Sequence, residues 1–143
     1  MSDGGSDRRP IPFEQPLFER VDGEAFFARL VERFYAGVIE DPILAPLYPP
    51  DDMDGAAERL RLFLVQFWGG PATYSEQRGH PRLRMRHAPF VIGEAERDAW
   101  LAHMTAAVAE AAADGDLDAE DEARMMGYFV HAAGFMMNVD TAD

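Results

Sequence analysis

The sequence predicts an all-α protein. Four long stretches carry apolar residues at helical spacing, each is closed by proline or glycine, and no stretch alternates apolar and polar residues as a half-buried strand would.

Residues 1–20 read as a flexible tail, because Gly4-Gly5 and the closely spaced Pro10, Pro12 and Pro16 suit neither helix nor strand. A single domain is expected over residues 21–139, with 140–143 as a short C-terminal tail. From Asp22 onward Phe26, Phe27, Leu30, Val31, Phe34, Tyr35, Val38 and Ile39 form one broad apolar helix face, which Pro42 stops. The loop from Pro46 to Asp52 carries Tyr48 between prolines. Asp54 is the expected N-cap of a second helix, with Ala56, Leu60, Phe63, Leu64 and Phe67 on one face and Gly69-Gly70-Pro71 as its stop. Residues 72–92 have weak periodicity and read as irregular chain with one short helix around Leu83 to His87. Glu94 and Glu96 suit the positive end of a third long helix with Trp100, Leu101, Met104, Val108 and Ala111 inward, broken at Gly115. Asp118 and Asp121 form a candidate capping pair for a last helix that turns Met125, Phe129, Ala132, Ala133, Met136 and Met137 inward.

Composition narrows the function. The chain of 143 residues is 48% hydrophobic and 27% charged, as a soluble globular domain is. Its net charge of −13 makes nucleic acid and anionic membranes poor partners. Lysine and cysteine are both absent, which excludes lysine Schiff bases, thiol nucleophiles, disulfides, iron–sulfur clusters and covalent haem attachment. No apolar run follows Arg8-Arg9, so no export signal is read there and a cytoplasmic location is expected.

Charge is unevenly spread. Glu110, Asp114, Asp116, Asp118, Glu120, Asp121 and Glu122 crowd a stretch with no base, read as a solvated connection between helices. Arg78, Arg82, Arg84 and Arg86 crowd a stretch with no acid. Two readings of that second stretch stand side by side: bidentate recognition of a carboxylate or phosphate ligand, or pairing with the protein's own acids. None of His80, His87, His103 and His131 lies three or four residues from another, and no Gly-x-Ser-x-Gly elbow is present, so neither a helical zinc motif nor a serine hydrolase is read. His87 closes the arginine stretch just before a helix breaker. A flat apolar cofactor with two carboxylates would use this His for its metal, the arginines for its carboxylates and the aromatic interior for its ring; haem fits that description. A structural His87 is the competing reading.

Taken together, Phe67-Trp68-Gly69-Gly70-Pro71, Tyr74-Ser75-Glu76, Arg78-Gly79-His80-Pro81 and Leu83-Arg84-Met85-Arg86-His87-Ala88-Pro89-Phe90 resemble the truncated haemoglobins. Within them the likeness is to the second group, in its actinobacterial branch, with Phe34-Tyr35, Tyr48-Pro49 and Glu96-Arg97-Asp98-Ala99-Trp100 in the same signature. The resemblance implies a shortened globin, a two-over-two helical sandwich around haem b. By residue it implies His87 as the proximal iron ligand, and Tyr35, Tyr48 and Trp100 as polar groups on the ligand side. Ala56 matches the position where many globins carry a distal His, and Leu60 follows one turn later. Phe63 and Phe90 are implied in haem packing, and Arg59, Tyr74 and Arg86 in contact with the propionates. Asp22-Gly23 stands where the family has a Gly-Gly pair, and one glycine still permits that turn.

The implied function is reversible binding of O2, and of CO and NO, with slow O2 release. The alternative is an oxidoreductase using the same haem, as an NO dioxygenase or a peroxidase, supplied with electrons by a separate reductase. Composition alone leaves a third reading, a cofactor-free acidic helical interaction module. A homo-oligomer is compatible with all three.

Overall fold

The computed structural model describes residues 16–48, 50–79 and 92–137. Among these lie six α-helices and no strand: α1 (Leu17–Arg20), α2 (Gly23–Val38), α3 (Met53–Phe67), α4 (Thr73–Arg78), α5 (Glu94–Ala113) and α6 (Ala119–Phe135), with short 3-10 turns at Ala45–Leu47 and Pro50–Asp52. Two helix pairs, α2 with α3 and α5 with α6, meet through the packing of α2 on α5. No helix among the described residues is long and apolar enough to cross a membrane.

The long helices follow the apolar periodicity. Phe26, Phe27, Leu30, Val31, Phe34 and Val38 of α2 are buried, and Met104, Ala107, Val108 and Ala111 of α5 meet Met125, Phe129, Ala132 and Ala133 of α6 in the same core. Ile39, expected on the apolar face, is the C-cap of α2 and is exposed. Phe67, expected inward, is also exposed, although it lies one turn after Phe63 on the same face and its ring meets those of Phe63 and Tyr128 at 6.0 and 4.2 Å. The N-cap of α3 is Asp52 and not Asp54, which falls in the first helical turn. At α5 the Gly93 N–H donates to Glu96 Oε1 at 2.8 Å. At α6 the Asp121 N–H donates to Asp118 Oδ1 at 2.7 Å, so the capping pair forms in one direction only.

Packed chain begins before the expected boundary at residue 21. Leu17 is buried, the Phe18 N–H donates to the Trp68 carbonyl at 3.0 Å, and the Phe18 ring stacks on Phe27. The Gly69-Gly70 pair makes this docking possible. A Cβ at Gly69 would collide with the Pro16 ring, and one at Gly70 would lie 2.6 Å from Val65 and 2.8 Å from the Phe18 ring. The stop signal of α3 is thus also the seat of α1.

The stretch read as irregular from residue 72 opens instead with α4. Gln66 holds it with two bonds, Nε2 donating to Ser75 Oγ at 2.8 Å and Oε1 accepting from the Ser75 N–H at 2.9 Å, while Tyr74 is buried. The short helix expected at Leu83 to His87 lies outside the described residues.

The acidic run is not a merely solvated connection. Arg20 grips the buried Asp121 through Nη2–Oδ1 at 2.5 Å and Nε–Oδ2 at 3.2 Å. Arg33 reaches Asp114 at 2.5 Å and Glu110 at 3.3 Å, and Arg29 reaches Asp116 at 3.5 Å. Arginines of α1 and α2 therefore tie down the α5–α6 connection. The buried Asp121 needs its partner, since an unpaired carboxylate away from water is costly.

Phe34, fully buried, joins this core to the region described next: its ring meets Tyr35 edge-on at 4.9 Å and Trp100 at 5.2 Å. Phe34→Ala is expected to cost about 3–5 kcal/mol, through lost burial and the cavity left behind. Chemical denaturation of the purified variant checks it; a cost below about 1 kcal/mol would show that the neighbouring rings refill the space.

Candidate functional site

A cavity of about 420 Å³ opens between α3, α5, α6 and the turn after α2. Its walls are mostly apolar: Leu44 and Leu47 from the turn, Leu60, Phe63 and Leu64 from α3, and Phe129, Ala132 and Ala133 from α6. Ala56, Leu60 and Phe63 lie three and four residues apart, one stripe of α3, and are only partly or just buried because that stripe faces the cavity and not another helix.

Polar groups sit in two places. The first combines Tyr35 of α2, Tyr48 after the 3-10 turn and Trp100 of α5. The Tyr35 and Tyr48 rings meet edge-on at 5.4 Å. Burial pushes the Tyr35 hydroxyl far above the ordinary phenol value, and the interaction with Tyr48 raises it further. Tyr48 is also raised by burial, and the hydrogen bond that the two hydroxyls share lowers it in part. Two hydroxyls sharing one bond use one proton and leave the other for a ligand in the cavity. Trp100 is held by ring contacts to Phe34 at 5.2 Å and Phe129 at 5.7 Å.

The second polar group is at the mouth. Arg59 of α3 donates through Nη2 to Asp52 Oδ2 at 2.6 Å, and Arg78 of α4 lies with its guanidinium 5.9 Å from the Tyr74 ring centre. Arg59, Asp52, Arg78 and Tyr74 all line the cavity.

Residues 16–135 match the bacterial-like globin family.

The chain belongs to that family.

Three relatives place this globin within it. The hemoglobin of the thermophilic phototroph Chloroflexus aurantiacus is 55% identical, with a TM-score of 0.81 over 88% of this chain and 100% of that one. The thermostable hemoglobin of the actinobacterium Thermobifida fusca is 56% identical, with a TM-score of 0.82 over 87% and 98%. Group 2 truncated hemoglobin YjbI of Bacillus subtilis is 40% identical over 95 residues, 66% of this chain and 71% of its own. This globin is a group II truncated haemoglobin with the fold of that family, and membership implies a haem cofactor and binding of diatomic gases such as O2.

Eight of the residues singled out from the sequence, Tyr35, Tyr48, Ala56, Arg59, Leu60, Phe63, Tyr74 and Trp100, line this one cavity. His87, Arg86 and Phe90 lie outside the described residues, as does His80. His103 and His131 are elsewhere: His103 Nε2 is 2.6 Å from Asp41 Oδ2, between α5 and the end of α2, and His131 stacks on Phe135. Arg78, from the arginine stretch read as a carboxylate receptor, also lines the cavity, whereas sequence reading missed Asp52, Glu96, Arg97 and Tyr128 as cavity residues. Two had a usable signal. Asp52 lies seven residues before Arg59, two turns along the same face, and Tyr128 lies three after Met125 and four before Ala132 on the inward side of α6.

Proposed function

We propose that this globin is a haem b protein that binds O2, and also CO and NO, reversibly in the described cavity, with His87 as the proximal ligand. The observation that carries the reading is the pairing, in one apolar cavity, of hydrogen-bond donors at one place and arginines at its mouth. A flat apolar ring with two carboxylates needs such an arrangement.

The lining residues fit that group. Phe63, Leu64, Phe129 and Ala133 offer apolar surface to the ring, and Arg59 and Arg78 offer guanidinium donors to its carboxylates. Haem, when bound, supplies an iron with an open position for a diatomic gas. Around that position the protein acts through its own groups. Tyr48 O–H and Trp100 N–H donate to a ligand that carries partial negative charge, and Tyr35 braces Tyr48 through the hydrogen bond that the two hydroxyls share. Ala56 and Leu60 supply no polar group, so discrimination between O2 and the less polar CO falls to those two donors.

The test is a visible absorption spectrum of the purified protein, as isolated, after haem addition, and after reduction with and without CO. An intense Soret band that moves on CO addition is the expected result. A protein that shows no band even with haem added would overturn the reading.

A further inference from the structure

Three observations converge on the mouth of the cavity. Arg59 Nη2 donates to Asp52 Oδ2 at 2.6 Å, and both residues line the opening. Gly55 lies between them in the first turns of α3, where a Cβ would collide with the Asp52 carboxylate and come within 3.0 Å of Arg59 Nη1. Glycine is a poor helix residue, so α3 gives up intrinsic stability at the one position where any side chain would push the pair apart. Asp52 also feels a second cation. Its carboxyl is held below the usual range first by the hydrogen bond from Arg59, then by the charges of Arg59 and of Arg78.

We propose that Asp52 and Gly55 are positioning residues that pin the Arg59 guanidinium, ahead of any ligand, as the receptor for a haem carboxylate. The inference rests on the haem reading above and concerns how that group is retained. An arginine on an exposed helix face has many rotamers to lose when it meets a carboxylate, and one already tied to Asp52 has fewer. The guanidinium carries five N–H donors in a rigid fork, so Asp52 takes one edge and the others remain for the ligand. Asp52 also places a negative charge beside an anionic ligand, so its geometry helps while its charge opposes. An asparagine there separates the two effects, because its amide oxygen still accepts from Arg59 without the charge.

The experiment loads the full-length protein with haem or with haem dimethyl ester, whose carboxylates are masked. It then follows transfer of either group to a haem-scavenging apoglobin by absorbance. With haem, Asp52→Ala and Gly55→Ala are expected to speed transfer at least about threefold, while Asp52→Asn stays within about twofold of the parent. With the dimethyl ester, all three variants are expected to match the parent within about twofold. Two results overturn the proposal: unchanged haem transfer in both alanine variants, or equal acceleration with haem and ester, which would mean that the changes act through the stability of α3. A parent that takes up no haem would instead remove the haem reading itself, and the proposal with it.

Discussion

His87→Ala is expected to abolish the Soret response to CO and to weaken haem retention at least about a hundredfold. The scale follows from metal sites in general, where loss of a partner that only orients a ligand already costs about ten- to a hundredfold. Loss of the proposed ligand itself would remove the coordinate bond to iron and leave apolar packing and the carboxylate contacts. Neither of the two described histidines is in a position to substitute. His103 is engaged with Asp41, His131 stacks on Phe135, and neither lines the cavity. His103→Ala and His131→Ala should therefore retain the spectrum. Free imidazole added to the His87→Ala protein should restore part of the band by filling the space that the ring vacates. A variant that keeps the parent spectrum without imidazole would remove His87 from the iron.

The second large effect is kinetic. Trp100→Leu is expected to speed O2 release about five- to twelvefold, since one hydrogen bond to a ligand is worth about 1–1.5 kcal/mol and each 1.4 kcal/mol is a factor of ten. The hydroxyl pair sharpens this expectation. Tyr35 and Tyr48 share one hydrogen bond, so under the proposed reading one hydroxyl proton and the Trp100 N–H, two donors and not three, would meet the ligand. Together they hold O2 by about 2–3 kcal/mol, which makes release roughly 30- to 150-fold slower than from a pocket without donors. The effect falls on release more than on binding, because the ligand breaks its hydrogen bonds only on leaving. Stopped-flow displacement of O2 by CO measures it, and a rate within about twofold of the parent would remove Trp100 from the ligand's surroundings.

The four long helices were legible because periodicity and punctuation agreed. Pro42, the Gly69-Gly70-Pro71 run and Gly115 each follow a helix that buries the residues their spacing selects. The short helices were not. Neither α1, of four residues, nor α4, of six, is long enough to show a period, and each is held by partners distant in sequence or in a neighbouring helix. Phe18 leans on Trp68, and Ser75 on Gln66. The acidic run was misread for the same reason. Local composition reports seven acids with no base among them, and four of these, Glu110, Asp114, Asp116 and Asp121, meet arginines 77 to 101 positions away. Within the site, spacing alone marks the stripe Ala56, Leu60 and Phe63 with Arg59 at its margin. The meeting of Tyr35, Tyr48 and Trp100 joins three separate elements, and no periodicity carries that information. Those three came from the family resemblance.

The grip of Arg20 on Asp121 also sets an order in time. The two residues are separated by 101 positions, so α1 leaves the ribosome well before the partner on which it docks. At about 5–20 residues per second, α1 waits roughly 5–20 s for Asp121 to be synthesised. During that interval Leu17 and Phe18 lie against α2 and the end of α3 without the Arg20–Asp121 pair. Closure of the Arg20–Asp121 clasp therefore waits for α6, and the nascent chain keeps this edge of the core open until that helix arrives.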